Sequence, residues 1–189
     1  MVQAQTHTLR TAYPQFGALF MSAQAKIPLK SFPRTEMLKR LARYKDLECP
    51  PDRYPDSQLP GHERKNYLLI GKGLKVQGGK DPMSAIPIEE GFLMSYVECK
   101  PGNGPRLHAH DTNETFVAVR GTWRVIWGAN EEDHIDLGEL DVYSCAPGVP
   151  RRFINLSPGE GRSEGLLLTV QAGNAPAAEW MDPDSWIKD

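Results

Sequence analysis

Residues 102–121 read GNGPRLHAHDTNETFVAVRG, and the pattern within this stretch predicts both strands and a site. His108 and His110 lie two positions apart, so on a β-strand both imidazoles point to the same face. Glu114 follows four positions later, again an even step, and can return to that face if the chain turns once between two strands. Two imidazoles and one carboxylate that converge in this way predict a site for a divalent metal ion.

The glycines of the same stretch have a mechanical explanation. Gly102 and Gly104 flank a turn that leads into the histidine strand, and Gly121 is predicted to close a hairpin between residues 116–120 and 123–127. Glycine is favoured at such turns because it has no Cβ to clash when φ is positive. The stretch therefore predicts short strands separated by tight turns.

The spacing of these residues resembles the first sequence motif of the cupin superfamily, G-x5-HxH-x3-E-x6-G. Every defined position is matched, from Gly102 through His108, His110 and Glu114 to Gly121. The resemblance implies an all-β fold, the cupin double-stranded β-helix or jelly-roll barrel, which holds one metal ion or one small ligand.

The second cupin motif, G-x5-PxG-x2-H-x3-N, is matched only in part. The corresponding segment keeps Gly148 and Asn155 at their places, but Leu140, Ala146 and Arg151 stand where the motif has glycine, proline and histidine. The replacement by arginine matters most, because the family uses that histidine as its last metal ligand.

The resemblance therefore carries over three metal ligands, His108, His110 and Glu114. Two histidines and one carboxylate form a facial triad of the type that binds non-haem Fe(II) with open coordination positions. The cofactor implied is a divalent metal ion, with Fe, Mn, Zn and Ni as the candidates.

Arg151 cannot serve as the missing ligand, since a guanidinium has no free lone pair and stays protonated at ordinary pH. It either binds a substrate carboxylate or phosphate through two parallel hydrogen bonds, or pairs with Glu114 in the space where a metal would sit. Arg106 lies two residues before His108 and shares its face if the strand is regular. We therefore predict that Arg151 and Arg106 bind an anionic substrate.

The rest of the chain predicts the elements around this site. Residues 1–60 are interpreted as an extended N-terminal arm, one amphipathic helix at 35–45 and a proline-rich linker. Residues 61–175 are assigned to the barrel, and 176–189 to a C-terminal tail with a short helix at its start. Short β-rich runs broken by glycine and proline indicate the strands. They are residues 67–70, 74–77, 92–99, 114–120, 122–128, 135–137, 141–145, 151–155 and 166–171.

Composition narrows the classes of partner. The formal net charge is −2, and acidic and basic residues are intermingled, so no basic face is predicted for nucleic acid. The sequence contains no apolar run long enough to predict a membrane-spanning helix. Its three cysteines are widely spaced and include no CxxC pair, which indicates reduced thiols in a cytoplasmic protein. The expected partners are an anionic small molecule and a second copy of the chain, since an unpaired barrel edge favours a homodimer.

Two functions from different classes fit these residues, and both remain open on the sequence. In the first, His108, His110 and Glu114 hold a metal ion that binds an anionic substrate or dioxygen at open positions, as in a dioxygenase-type oxidoreductase. In the second, the chain is a non-catalytic or metal-free module that binds a small ligand. Arg151 and Arg106 then recognise an acid or a sugar, and the histidines only form hydrogen bonds.

Overall fold

The computed structural model describes residues 27–50, 53–76, 78 and 84–182. Residues 27–33 belong to one compact unit and contain no helix or strand, and a second unit begins at Arg34. The second unit is built almost entirely from short strands. Its elements are α1 (Arg34–Leu38), 3₁₀ turns at Tyr44–Asp46 and Pro55–Gln58, β1 (Lys65–Ile70), β2 (Lys75–Val76), β3 (Phe92–Cys99), β4 (His108–His110), β5 (Glu114–Arg120), β6 (Thr122–Trp127), β7 (Asp133–Leu137), β8 (Val142–Cys145), β9 (Arg151–Ser157), β10 (Gly165–Ala172) and β11 (Ala177–Trp180).

The strands form two sheets that share one core. One sheet has five strands in the order β1-β3-β10-β5-β8, and the other has six in the order β2-β11-β4-β9-β6-β7. The named strands pair antiparallel, apart from β2 and β11, which pair parallel. The predicted all-β jelly-roll is confirmed.

Strand positions follow the sequence pattern closely. Each of the nine predicted runs contains a strand, and β3 and β5 have the predicted bounds. The alternation of buried and exposed residues explains this success, because a half-buried strand buries every second side chain. The positions of these strands can therefore be predicted from local sequence patterns alone.

Aromatic side chains from both sheets meet in the core. Phe116 on β5 contacts Phe153 on β9 edge to face, with ring centroids 5.4 Å apart, and Trp123 on β6 contacts the same ring at 6.0 Å. Trp123 and Val125 alternate along β6 on the core face and are fully buried. Truncation of such a buried aromatic to alanine typically costs about 3–5 kcal/mol.

The predicted hairpin around Gly121 is wrong, although the turn is real. β5 belongs to the five-stranded sheet and β6 to the six-stranded sheet, so the two strands do not pair. Gly121 has a φ of 81°, and a Cβ there would lie 2.1 Å from the carbonyl oxygen of Ser157. Only glycine fits this corner, where the chain crosses from one sheet to the other.

The predicted helix at 35–45 is also corrected. Helix α1 spans only Arg34–Leu38. The apolar residues of the predicted helix are not buried: Met37, Leu38 and Leu41 are 53%, 49% and 48% exposed. A short helix whose apolar side is not packed against the protein is only marginally stable, which explains why α1 ends at Leu38.

The predicted C-terminal helix is wrong as well, since β11 occupies its place. Ala178 and Trp180 are buried and Glu179 between them is exposed, which is the period of a strand. β11 pairs with β4 so that Ala178 lies opposite His110 and Trp180 opposite His108. Completion of this sheet edge outweighs the local helical preference.

The three cysteines, Cys49, Cys99 and Cys145, have free thiols. Burial raises the pKa of Cys99 to about 12 and also raises that of Cys145. Cys145 lies in the hydrophobic core, where a free cysteine packs as a small apolar side chain. Among the described residues, no helix has the length and apolar character needed to cross a bilayer.

Leu140 shows why the second cupin motif has glycine at its first position. Its φ is 70°, a left-handed conformation that L-residues other than Asn and Asp rarely adopt. The backbone N–H of Leu140 donates to the carbonyl of Ala118 at 2.7 Å, which fixes the turn before β8. The side chain is 77% exposed and offsets little of this strain by packing.

Replacement Leu140→Gly is therefore expected to stabilise the protein by about 0.5–1 kcal/mol, since it removes left-handed strain that exceeds the entropic cost of glycine. Urea unfolding at neutral pH measures the change. Val142→Gly is the control, because Val142 is also exposed but lies in β8 without a positive φ. Equal destabilisation by both replacements would contradict the prediction.

Glu98 on β3 collects bonds from several segments. The Tyr44 hydroxyl donates to its Oε1 at 2.6 Å, the Tyr67 hydroxyl to Oε2 at 3.2 Å and Nη2 of Arg120 to Oε1 at 2.9 Å. Nζ of Lys65 lies 3.5 Å from Oε2. Burial alone would raise the pKa of Glu98, but these donors and charges outweigh it and lower the pKa below 4.5.

Because the folded-state pKa of Glu98 is lowered, its ionised form stabilises the fold above pH 4.5, and this contribution is lost as the pH falls through the folded-state pKa. Glu98→Gln is expected to lower the free energy of unfolding at pH 7 by about 1–3 kcal/mol. The difference in unfolding free energy between wild type and Glu98→Gln should narrow as the pH falls below 4.5, and chemical denaturation at each pH would measure it. Glu36→Gln, in an exposed pair with Lys39, should change little. A gap that does not depend on pH would contradict this account.

Candidate metal centre

The three predicted ligands converge between the two sheets. His108 and His110 lie on β4, and Glu114 is the first residue of β5. All three side chains are buried, and their ligand atoms lie within 4.8 Å of one another. Nε2 of His110 is 3.4 Å from Oε2 of Glu114. The even spacing in the sequence thus translates into one cluster on the barrel interior.

Backbone carbonyls fix the orientation of both imidazole rings. Nδ1 of His108 is 2.7 Å from the carbonyl oxygen of Arg106, and Nδ1 of His110 is 2.8 Å from that of Ala177. A carbonyl oxygen can only accept, so each Nδ1 carries the proton and donates it. In the neutral form of each ring, Nε2 then carries the lone pair, which is the arrangement found in histidines that bind metals.

The charge states also suit a cation. Burial and the neighbouring His110 lower the pKa of His108 to about 3, although Glu114 opposes this shift, so its ring is neutral at pH 7. Burial alone would raise the pKa of Glu114, but His110 and Arg151 outweigh burial and lower it to about 2. Metal ligands must be deprotonated, and these two side chains are.

Arg151 on β9 takes the second of its two predicted placements. It is fully buried and lies opposite His108 in the sheet. Its Nε donates to Oε2 of Glu114 at 3.2 Å, and its Nη1 donates to the carbonyl of Val149 at 3.1 Å. Nη2 has no hydrogen-bond partner among the described residues. The guanidinium therefore competes for the same carboxylate oxygen that faces His110.

The residues present still fit a divalent ion. A carboxylate offers about four lone-pair positions, so the bond from Arg151 leaves Glu114 with further acceptor capacity. The donor set is two imidazole nitrogens and one carboxylate, with the positive charge of Arg151 beside it. The charges of Glu114 and Arg151 cancel, which weakens the attraction for a cation compared with an unpaired carboxylate.

Arg106 does not join this cluster through its side chain. β4 begins at His108, so the regular strand that would turn Arg106 inward is absent. The guanidinium instead forms an ion pair with Asp182. Arg106 acts on the site through its backbone, because its carbonyl orients His108.

A cavity of about 50 Å³ lies beside the triad. Its walls include Tyr54 from the linker and Arg64 and Asn66 at the start of β1, together with Phe153 and Trp180. Tyr54, Arg64 and Asn66 were not predicted as site residues, because residues 50–60 were interpreted as an external linker and the first strand was predicted to begin at Tyr67. The even spacing of Arg64, Asn66 and the buried Leu68 is the signal that could have placed them inside.

Comparisons with known proteins agree with this architecture. No protein-family model matches the sequence, and no curated protein matches it. Among solved structures, the oxalate decarboxylase of Lactobacillus farciminis in its formate complex superposes with a TM-score of 0.51 and 15% identity, over 73% of this chain and 34% of that chain. The chain thus spans about a third of the length of that protein.

Two further solved structures are similar at lower scores. The polyketide cyclase RemF from Streptomyces resistomycificus has a TM-score of 0.49 and 16% identity, over 70% of this chain and 78% of that chain. A cupin 2 domain-containing protein from Halorhodospira halophila has a TM-score of 0.42 and 19% identity, over 67% of this chain and 74% of that chain.

The two-sheet barrel gives the chain the cupin fold, which it shares with the oxalate decarboxylase structure, and the buried cluster of two histidines and one glutamate lies inside it. At these identities the likeness concerns the fold, and the chemistry has to be argued from the residues of this chain.

Arg151→His tests how far the guanidinium limits the metal site. The replacement supplies an imidazole in place of a cation and releases Glu114, so the affinity for Zn²⁺ or Mn²⁺ is expected to rise roughly tenfold or more. Competition with a metal-binding dye measures it. The control is Arg152→His, because Arg152 pairs with Glu131 outside the site. A similar affinity in wild type and both variants would show that Arg151 does not influence the ion.

Proposed function

We propose that this chain is a metal-dependent cupin that binds a small anionic molecule beside a divalent ion held by His108, His110 and Glu114. The observation that carries the proposal is the pair of bonds from Nδ1 to backbone carbonyls, at 2.7 and 2.8 Å. These bonds hold both Nε2 lone pairs available beside an ionised carboxylate, which is of little use to a site that only has to stay folded.

When bound, the ion supplies a Lewis acid with open coordination positions, and Fe, Mn, Zn and Ni all suit such a donor set. The residues of the chain perform the remaining tasks. His108 and His110 are held in one orientation, Glu114 provides the negative charge, and the rings of Phe153 and Trp180 restrict water in the cavity. As an enzyme, the protein would be a dioxygenase-type oxidoreductase.

Charge balance supports an anionic ligand. The carboxylate of Glu114 and the guanidinium of Arg151 cancel, so a divalent ion keeps its full charge in a buried site. A buried charge is costly unless it is paired, and an anion supplied by the ligand compensates it.

The second candidate function is a metal-free module that binds small ligands. One specific observation favours it, namely the bond from Nε of Arg151 to Oε2 of Glu114 at 3.2 Å. In this alternative the guanidinium is the permanent cation of the site, and the histidines donate or accept hydrogen bonds only.

Metal analysis of protein purified without chelators or a histidine tag separates the two functions. The proposal expects near-stoichiometric divalent metal in wild type and its loss in His110→Ala. His134→Ala is the control, since His134 is exposed on β7, and it should retain the metal. A metal-free wild type whose ligand binding is unchanged in His110→Ala would instead support the module.

The homodimer expected from the sequence stays a prediction. β8 ends the five-stranded sheet, and Leu140 and Val142 are exposed next to this edge. An unpaired edge with apolar neighbours favours pairing with another strand.

A further inference from the structure

We propose that Arg64 and Asn66 form a carboxylate-binding subsite in the barrel cavity, which recognises one end of a small molecule whose other end lies at the histidine cluster. The inference deepens the proposed function and rests on it for the second contact. It assigns the recognition of the anion to residues outside both cupin motifs, on the segment that leads into β1.

Arg64 is a buried and oriented cation in the cavity wall. Its side chain is 3% exposed, its Nη2 donates to Oδ1 of Asp56 at 2.7 Å, and its Nη1 donates to the carbonyl of His62 at 3.0 Å. The guanidinium also lies 5.8 Å from the centroid of the Tyr54 ring. These contacts hold the planar fork in one position, which reduces the entropy lost when it binds a carboxylate.

Asn66 offers a donor that the protein itself does not use. It lies two positions after Arg64, is 7% exposed and lines the same cavity. Its Nδ2 is buried and has no hydrogen-bond partner among the residues that the structure describes. A buried amide donor without a partner is unfavourable, so a ligand oxygen that accepts from it would be stabilised there.

The buried charges at this end of the barrel are unbalanced. Arg53 is buried, and its Nε and Nη1 have no hydrogen-bond partner in the described part of the chain. In the described part of this segment, Asp56 is the one buried carboxylate, against two buried guanidinium groups, those of Arg53 and Arg64. A bound anion would compensate the excess positive charge.

Tyr54 adds a neutral donor beside these cations. Burial raises its pKa to about 12, and the charges of Arg53 and Arg64 only partly oppose this shift. The hydroxyl therefore stays protonated at neutral pH and can donate to an oxyanion. Three kinds of donor, a guanidinium, an amide and a phenol, thus line the cavity.

Asp56 connects this end of the cavity to the histidine cluster. It is fully buried, and while its Oδ1 accepts from Arg64, its Oδ2 accepts from the backbone N–H of Arg106 at 3.0 Å. The carbonyl of Arg106 in turn accepts from Nδ1 of His108. A continuous series of hydrogen bonds therefore sets the position of Arg64 relative to a metal ligand.

The walls between the two ends limit the ligand. Leu93, Val97 and Phe153 are apolar, and the cavity volume is about 50 Å³. A short carboxylic acid with a small apolar body, and with a second oxygen or nitrogen for the ion, matches this space and its lining.

Binding of acetate and of its neutral analogue acetamide tests the subsite directly. Calorimetric titration of chelator-treated wild type is expected to show at least a roughly tenfold preference for acetate, since a hydrogen bond to a charged group contributes that much. Arg64→Met should lower the acetate affinity roughly tenfold or more, and Arg64→Lys, which keeps the charge without the fork, should retain part of it.

Asn66→Leu keeps the experiment decisive if Arg64→Met does not fold. This variant replaces the unpaired amide with an apolar side chain of similar size. The melting temperature of the ligand-free protein should therefore stay the same or rise, while acetate should bind several-fold more weakly. A merely structural asparagine would lose stability instead. Arg120→Met is the matched control, because Arg120 also donates to a carboxylate, that of Glu98, but does not line the cavity.

The outcomes distinguish the subsite from the metal site. Loss of acetate binding in Arg64→Met and Asn66→Leu supports the subsite, even if wild type holds no metal and the proposed function fails. Acetate affinity that is equal in wild type and both variants overturns the subsite, even if Zn²⁺ binds to the histidines. No preference for acetate over acetamide, with or without Zn²⁺, overturns it as well.

Discussion

The carboxylate of Glu114 is shared between a guanidinium and an imidazole, and the arrangement of the whole site depends on that competition. Oε2 lies 3.2 Å from Nε of Arg151 and 3.4 Å from Nε2 of His110. Both contacts keep the carboxylate ionised in a buried position, where burial alone would favour its neutral form. Oε2 of Glu114 therefore links β5 to β4 and β9, strands of the opposite sheet.

Local periodicity explains what could be predicted from the sequence. The bounds of β3 and β5 follow from alternating apolar residues, and the convergence of His108, His110 and Glu114 follows from even spacing. The placement of Arg151 could not be predicted, because its choice between Glu114 and a ligand depends on distances between strands far apart in sequence. α1 and β11 were misassigned for a related reason, since the surfaces available to them come from other segments.

The proline-rich linker also shows that local sequence patterns do not predict contacts between distant segments. Its prolines excluded a strand or a long helix, which is correct, but they were also taken to mean that the segment lies outside the barrel. Tyr54 and Asp56 are buried, and Asp56 bonds to Arg64 and to the backbone before β4. A short 3₁₀ turn is enough to bury two side chains, and no periodic pattern in four residues reports that burial.

The position of β11 has a consequence for the order in which the protein matures. The carbonyl of Ala177 fixes the ring of His110, yet Ala177 is synthesised 67 residues after it. A nascent chain that has released β4 and β5 but not β11 contains all three ligands without the contact that orients one of them. In the proposed metal site, full affinity for the ion would therefore require the C-terminal strand to be in place.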